Sequence, residues 1–588
     1  MCLHVPPEGR STARLYLACI AVGLMAGAAA LLLKTSVHAL EAFLRGVSAS
    51  RDLNVLLVFL PAAGIGLAVL FSRRIAGADL SHGVTKVLSS LSREGGRISP
   101  RMIWQPLVAC TITVGFGGSM GMEAPIMHSG SAIGSNVARL LKLGEKDRIL
   151  LLASGCAAAV AAIFKAPVAG ALFAIEILMI DLKAKALIPL VASSVTGALF
   201  ARIATGSSIE YGFALSEPFD YRNLPYYLLL GALAGLAAAW LRFATRKSGW
   251  ALGRITRPWA KVLAGGLALA GLILLFPALF GEGYSGLSAI LGGKEAALLD
   301  SSPFFGMDPK GWAFVAYLAT LVLAKGMAAG ITGAAGGVGG VFAPALLMGG
   351  TTGFALARAL LLLGSATASE RNFALVGMAG LLSALLKAPL TSVFLIAELT
   401  GGYQLLIPLL VTSIAAYGLS SLVFPYSVYA EGLAAERGSL VTHDKDRAAL
   451  ERITLADLVE EEGASLSPDS GMEDVEAASL RTRRSLLPVL DGEGRLLGLV
   501  RLERARRILL SRDAAARAGV AACDIAGPAG PSLGPATLPE EALAAFEETG
   551  TDELPFADAG GRFMGFLRKA DLLEAYRRNL VALKVEGD

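Results

Sequence analysis

Charge is scarce over the first three quarters of this chain. Of its 100 Asp, Glu, Lys and Arg residues, 54 lie in the first 440 positions and 46 in the last 148. A folded water-soluble surface needs more charge than that, so the long first part is not an ordinary soluble enzyme. The formal net charge is only +4, which gives no case for nucleic acid as a partner. Cysteine is sparse too. Cys2, Cys19, Cys110, Cys156 and Cys523 are scattered, and no pair has metal or redox spacing. Cys19, Cys110 and Cys156 lie in apolar runs and read as small core residues. No His-Glu-x-x-His, Ser/Lys dyad or pair of membrane aspartates is present, so an intramembrane enzyme has no catalytic set to work with.

What is present is apolar sequence. Hydrophobic residues make up 54% of the chain, with mean hydropathy +0.60. Leu15 to Leu33 is too long for a signal-peptide core and has no convincing cleavage site after it, so it reads as a first membrane helix. Arg10 and Arg14 before it favour a cytoplasmic N-terminus over residues 1–14. Apolar stretches then recur up to about residue 424, and several are shorter than the roughly 20 residues of a full span. Short segments flanked by Gly and Pro suit helices that stop inside the membrane, where their ends must be buried in protein or line a wet cavity.

Two motif pairs give the organisation. Gly121-Met-Glu-Ala-Pro125 is matched by Gly340-Val-Phe-Ala-Pro344, the prolines lying 219 residues apart (344 − 125). Phe-Lys-Ala-Pro ending at Pro167, with Glu176 after it, is matched by Leu-Lys-Ala-Pro ending at Pro389, with Glu398 after it, at an offset of 222 (389 − 167). Broken apolar segments in corresponding positions of two halves point to a transporter's binding site. The expected fold is an all-α multi-pass membrane domain over 15–435, built of two inverted-topology repeats at about 55–202 and 225–435. Residues 203–224 read as an external loop, and 281–311 as a long connection.

After a linker at 436–452 the pattern changes to a small α/β region, 453–588. A helix opens at Ile453 to Val459. Leu486–Asp491 and Leu496–Val500 read as strands around Gly492-Glu-Gly494, followed by an arginine-rich helix. The order recurs at Leu554–Ala557, Gly560-Gly561 and Phe563–Leu567, with a helix from Lys569. This tandem β-α module resembles a pair of CBS domains, with Gly565 to Asp571 the family-like part.

The chemistry of the apolar half lies in its helix starts. A proline-started helix leaves its first N–H groups free and carries positive partial charge there, while preceding glycines let a ligand approach the backbone. The segments before Pro125 and Pro344, with Ser81-His-Gly-Val84 as a third, therefore suit a small anion. A cation site would need intramembrane carboxylates or carbonyl-lined ends instead. In these residues the chain resembles the CLC chloride channels and chloride/proton exchangers, over about 55–435. The resemblance rests on Glu123 in its motif, on Gly336-Gly-Val-Gly-Gly-Val-Phe-Ala-Pro344, and on Glu398-Leu-Thr-x-x-Tyr-x-Leu.

The resemblance implies roles. Glu123 takes the position of the gating glutamate, and a carboxylate at a helix N-terminus imitates a permeating anion. The backbone of Gly340, Val341 and Phe342, together with His82, Gly83 and Val84, would bind the anion. The tyrosine whose hydroxyl reaches a central anion falls on Tyr429, with Tyr426 as rival. Departures matter as much. His82 replaces the serine of Gly-Ser-Gly-Ile-Pro. Met122 and Ala124 replace a basic residue and a glycine beside the gate. Ile177 stands at the inner proton-glutamate position, and an isoleucine relays no protons. Glu176 and Glu398 have two readings, part of a proton path or acceptors for backbone N–H groups at helix ends. Asp571 is either a nucleotide ribose contact or a solvated helix cap, and its counterpart in the first module is Arg504. His128 is expected to satisfy a local polar contact.

The function implied is glutamate-gated chloride transport, without enzymatic activity and with no cofactor required. Ile177 tilts it to a voltage-gated channel or loosely coupled conduction. A chloride/proton antiporter is the alternative, and a divalent-cation transporter with CBS domains is the rival from another class. The resemblance also implies a homodimer in the lipid bilayer of a prokaryotic inner or plasma membrane, with the CBS pair cytoplasmic. An adenine nucleotide is the ligand expected at that pair.

Overall fold

The computed structural model describes residues 7–49, 54–77, 80, 83–179, 184–206, 220–365, 368–431, 449–450, 452–460, 464–482, 484–510 and 519–586. The chain forms two compact units, Met1–Gly438 and Ser439–Asp588. Most of the linker expected at 436–452 lies outside the described residues.

The first unit is helical. Its α-helices are α1 Pro7–Ala49, α2 Asn54–Phe71, α3 Gly83–Arg93, α4 Gln105–Gly115, α5 Glu123–Leu140, α6 Glu145–Phe164, α7 Pro167–Leu178 and α8 Ala184–Thr205. They continue with α9 Leu224–Gly253, α10 Pro258–Leu275, α11 Tyr284–Leu291, α12 Trp312–Ala334, α13 Phe342–Leu362, α14 Glu370–Leu386, α15 Pro389–Leu399 and α16 Leu406–Val423. Among the described residues nine helices are long and apolar enough to cross a membrane. Helices α7 and α15, of 12 and 11 residues, rise only about 18 Å at 1.5 Å per residue and cannot span a core of about 30 Å.

The two halves repeat the same physical devices. Helix α6 ends on Lys165 and α14 on Lys387, both in the left-handed region (φ 54° and 58°) where glycine is the usual occupant. Pro167 and Pro389 then start α7 and α15 in the first turn, where the missing N–H costs nothing. The long lysine side chains anchor these breaks. Lys165 Nζ donates to the Gly206 carbonyl at 3.1 Å, and Lys387 Nζ to the Ser420 and Ser421 hydroxyls at 2.7 and 3.0 Å. Glycine sets the closest helix crossings. A Cβ on Gly134 of α5 would stand 1.9 Å from the Leu151 carbonyl of α6, and one on Gly353 of α13 would stand 1.9 Å from the Phe373 carbonyl of α14. Gly134 and Gly353 are again 219 residues apart (353 − 134).

The second unit consists of two like modules. Strand β1 (Leu486–Leu490) pairs antiparallel with β2 (Leu496–Arg501), and β3 (Glu553–Ala557) with β4 (Phe563–Arg568). Leu486 faces Arg501, and Glu553 faces Arg568, an offset of 67 (553 − 486). Each hairpin turn is closed by an aspartate side chain. Asp491 accepts the N–H groups of Glu493 and Arg495, and Asp558 those of Gly560 and Arg562. Three consecutive residues of each strand are buried; Leu487, Val489 and Val500 pack on the helices Met472–Arg481 and Leu502–Leu509 in one module, and Leu554, Phe556 and Leu567 on Pro539–Thr549 and Lys569–Glu586 in the other.

Several expectations need correction. The first helix is not confined to Leu15–Leu33. It runs from Pro7 to Ala49 with no Pro after residue 7, and Gly23 and Gly27 pack tightly on α8 at Ser193 and Gly197. The 281–311 segment is not merely a connection. Tyr284–Leu291 is helical and buries Leu287, Ile290 and Leu291. The helix expected at Ile453–Val459 is only a 3-10 turn at Leu455–Leu458.

Candidate functional site

The two Ala-Pro motifs meet face to face. The Gly121 N–H donates to the Gly340 carbonyl at 2.8 Å, and the Gly340 N–H to the Gly121 carbonyl at 2.7 Å. This two-residue ladder brings the starts of α5 and α13 together. It needs bare backbone, since a Cβ on Gly340 would lie 2.8 Å from Ala124 Cβ. The ladder also corrects one expectation: the Gly340 N–H is spent on Gly121 and is not offered to an anion. Val341 and Phe342 stand at the first turn of α13, where no earlier helical carbonyl can accept their N–H groups. The Phe342 ring is fully buried, with its centroid 5.2 Å from that of Phe164.

Glu123 is the first residue of α5 and is fully buried. Its Oε1 accepts the Tyr284 hydroxyl at 2.5 Å. Its Oε2 has no hydrogen-bond partner among the described residues and rests against Gly121, whose Cβ would come within 2.0 Å of it. A buried carboxylate oxygen left without a donor is costly. It is tolerated here at a helix N-terminus, whose partial positive charge favours an anion by about 0.3–2 kcal/mol.

Helix α3 supplies a third start. A Cβ on Gly83 would lie 3.2 Å from the Ala124 carbonyl and 3.3 Å from His128 Nδ1, so α3 begins directly on α5. Val84 is buried beside it. His82 lies outside the described residues. His128 is buried beside Gly83, and its Nδ1 has no hydrogen-bond partner among the described residues, so the polar contact expected of it is not made through that atom. Thr85 Oγ1 donates to the Tyr429 carbonyl at 2.9 Å and fixes Tyr429 to α3. The Tyr429 hydroxyl is buried without a hydrogen-bond partner among the described residues, and lies within electrostatic reach of Glu123. Tyr426, its rival, is 39% exposed, and its carbonyl accepts from Arg242.

Glu176 and Glu398 have an architectural use. Each closes the other half's short helix. Glu398 accepts the Val168 and Ala169 N–H groups of α7 at 3.0 and 2.8 Å. Glu176 accepts the Leu390 and Thr391 N–H groups of α15 at 3.1 and 2.7 Å, and the Thr391 hydroxyl at 2.5 Å. Both carboxylates thus act as helix caps, as the N–H acceptor reading has it. Glu398→Ala is expected to remove about 2 kcal/mol of stability while leaving chloride flux per correctly folded molecule unchanged. Thermal melting in detergent and flux in liposomes check the two halves of that statement. Ile177, next to Glu176, is buried in apolar surroundings. Asp571, in the first turn of the helix from Lys569, is paired with Arg568 through two bonds at 2.7 and 3.2 Å.

Four contributors were not legible in the sequence as site residues. Tyr284 and Glu282 come from the supposed connection, and Ser119 and Lys325 from glycine-rich and apolar stretches. Lys325 is fully buried in the middle of α12, where its Nζ donates to Ser119 Oγ at 2.8 Å and to the Gly281 carbonyl at 3.0 Å. A single charge inside a 23-residue apolar helix is a signal in its own right, because such a group persists only with partners.

Taken together, the arrangement is that of an integral, multi-pass membrane protein whose paired broken helices present backbone donors around a buried glutamate. The sequence matches the family described as voltage gated chloride channel over residues 64–421. It is 31% identical over 381 residues to the putative chloride channel protein ClcB-like of Ralstonia nicotianae, covering 62% of this chain and 84% of that one. It is 31% identical over 383 residues to the voltage-gated ClC-type chloride channel ClcB of Salmonella typhimurium, covering 64% of this chain and 86% of that one. Among solved structures, a slow cyanobacterial Cl-/H+ antiporter aligns with TM-score 0.61 at 23% identity, over 72% of this chain and 99% of that one. A eukaryotic CLC transporter aligns with TM-score 0.57 at 18% identity, over 95% of this chain and 98% of that one. The chain belongs to the voltage gated chloride channel family.

Proposed function

We propose that this chain moves chloride along a path gated by Glu123, with the N–H groups of Val341 and Phe342 and the hydroxyl of Tyr429 as anion donors. The observation that carries the reading is the state of Glu123. Its carboxylate lies between two helix starts, with one oxygen held by Tyr284 and the other unpartnered among the described residues. A mobile halide offers those same donors a competing negative charge. A cation path would need carboxylates or carbonyl-lined helix ends at its centre, whereas the two Ala-Pro segments meet as helix starts. The chain catalyses no covalent chemistry in this reading and needs no cofactor.

Ile177 favours conduction that is channel-like or loosely coupled to protons. Purified protein in liposomes, with chloride and proton fluxes recorded in parallel, tests this. The expected result is chloride movement down its gradient without protons being driven uphill. A fixed chloride-to-proton ratio would establish the antiporter instead, and absence of chloride flux would overturn the proposed function. The family resemblance further supports a homodimer in a prokaryotic inner or plasma membrane, with the N-terminus and the C-terminal modules cytoplasmic. An adenine nucleotide is the proposed ligand of those modules, with Asp571 as the proposed ribose contact.

A further inference from the structure

One acidic group beside the gate has no part in the function proposed so far. Glu282 lies between Gly281 and Gly283, both in the left-handed region (φ 68° and 97°). Neither can readily be replaced: a Cβ at Gly283 would be strained and would stand 2.6 Å from Leu347 Cδ2. The double bend turns the Glu282 side chain inward, leaving the residue 7% exposed. The loop is fixed at both ends. The Gly281 N–H donates to the Gly117 carbonyl at 3.0 Å, and its carbonyl accepts Lys325 Nζ. Tyr284, next but one, donates to the gate.

Glu282 Oε1 accepts the backbone N–H of Met122 at 3.2 Å. Met122 is the residue from which α5 starts, directly before Glu123. The N–H before it, on Gly121, is used by Gly340. Of the donors leading into α5, one is thus closed by backbone pairing and the next by a carboxylate. An N–H at a helix start is a natural anion contact, and Glu282 occupies it with a tethered anion of its own. We propose that Glu282 is a second gating carboxylate, which an entering halide must displace from the Met122 N–H as Glu123 is displaced from its own position.

This deepens the chloride reading and rests on it. It has a consequence for pH. Ionised, Glu282 competes with a halide for the N–H; protonated, it loses the charge that makes it a competitor, so acid favours entry. The groups facing it are Lys34 and Glu41 from α1, Cys110 from α4, Glu123 from α5, Tyr284 at the start of α11 and Lys325 from α12. Burial is the largest influence on Glu282 and raises its carboxyl well above the usual range; Glu123 and Glu41 act in the same direction, and the Met122 N–H and Lys34 oppose them.

The test uses the full-length protein in liposomes, with chloride flux measured from about pH 7 to about pH 4.5. Wild type is expected to be stimulated by acid. Glu123→Gln is expected to keep several-fold acid stimulation through Glu282, and Glu123→Gln combined with Glu282→Gln to lose it. Glu282→Gln alone preserves side-chain size and an acceptor oxygen, so its melting temperature checks folding. It is expected to raise apparent chloride affinity about tenfold, the scale of one charged hydrogen bond removed from competition. A Glu123→Gln flux that no longer responds to pH would overturn the proposal and leave the chloride function standing. So would acid stimulation in the double variant equal to that of Glu123→Gln. Absence of chloride flux in wild type overturns both.

Discussion

Glu123→Ala is expected to raise chloride flux at neutral pH by about tenfold or more and to remove the Glu123 share of its stimulation by acid, leaving the several-fold response carried by Glu282. The argument starts from competition. Glu123 brings a negative charge to the start of α5 on a side chain that cannot leave, and it is fully buried there. An anion can use the same region only when that charge is displaced or neutralised. Alanine removes the competitor and leaves the helix start in place, because alanine is a good helix former and the Gly121–Gly340 ladder is backbone only. The sign with pH follows: protonation neutralises the carboxylate, so wild-type flux rises as pH falls, whereas the variant starts higher and keeps only the smaller rise that Glu282 carries. Tyr284→Phe supplies an intermediate case. It removes the hydroxyl on Oε1 and so loosens the gate without deleting it, and flux at neutral pH should rise by less than in Glu123→Ala. Liposome flux across pH measures all three proteins. A Glu123→Ala protein with wild-type flux and wild-type acid response would remove Glu123 from the gate.

How much of this was legible beforehand depended on whether a residue's role was local. Pro125, Pro344, Pro167 and Pro389 mark helix starts by their own covalent geometry, and each stands in the first turn of a helix. Glu123 stood out because an acid in an apolar run demands an explanation. The Gly121–Gly340 ladder was not legible, because it is a pairing across 219 positions (340 − 121) that leaves no trace in either motif alone. It removed Gly340 from the anion donors. The mutual capping by Glu176 and Glu398 was hidden for the same reason: each glutamate serves a helix more than 200 residues away. Tyr284 was missed because 281–311 has the glycines and prolines of a loop, and only the packing of Leu287, Ile290 and Leu291 shows that part of it is a helix. In unit two the hairpins were legible from alternation and turn residues, whereas the bonds from Arg568 to Asp571 depend on a rotamer that composition does not specify.

The repeat also makes a strong prediction about stability. Gly353→Ala is expected to cost about 3 kcal/mol, enough to lower the melting temperature by several degrees and reduce the yield of monodisperse protein. Position 353 has no room, since the new Cβ would stand 1.9 Å from the Phe373 carbonyl oxygen and 2.5 Å from its carbon. Both atoms are backbone, so no side-chain rotation relieves the overlap, and α13 must move away from α14 as a body. That crossing is tight on both sides: Gly349 of α13 and Gly377 of α14 would place Cβ atoms 2.5 and 2.3 Å from each other's carbonyls. In a membrane such contacts are a main source of helix association, because lipid supplies no hydrophobic drive between helices. The displacement also reaches function, since α13 begins with Phe342. Gly134→Ala in the matching crossing of the first half, at the same 1.9 Å from the Leu151 carbonyl, should be damaging to a similar degree. Gly271→Ala in α10, which meets nothing within 4 Å, should melt like wild type or slightly above it, as alanine is the better helix former. Thermal unfolding followed by size-exclusion chromatography ranks the three. If Gly353→Ala were as stable as Gly271→Ala, the glycine contacts between α13 and α14 would not be what holds the two helices at this distance, and the parallel drawn between the halves through Gly134 and Gly353 would fail with them.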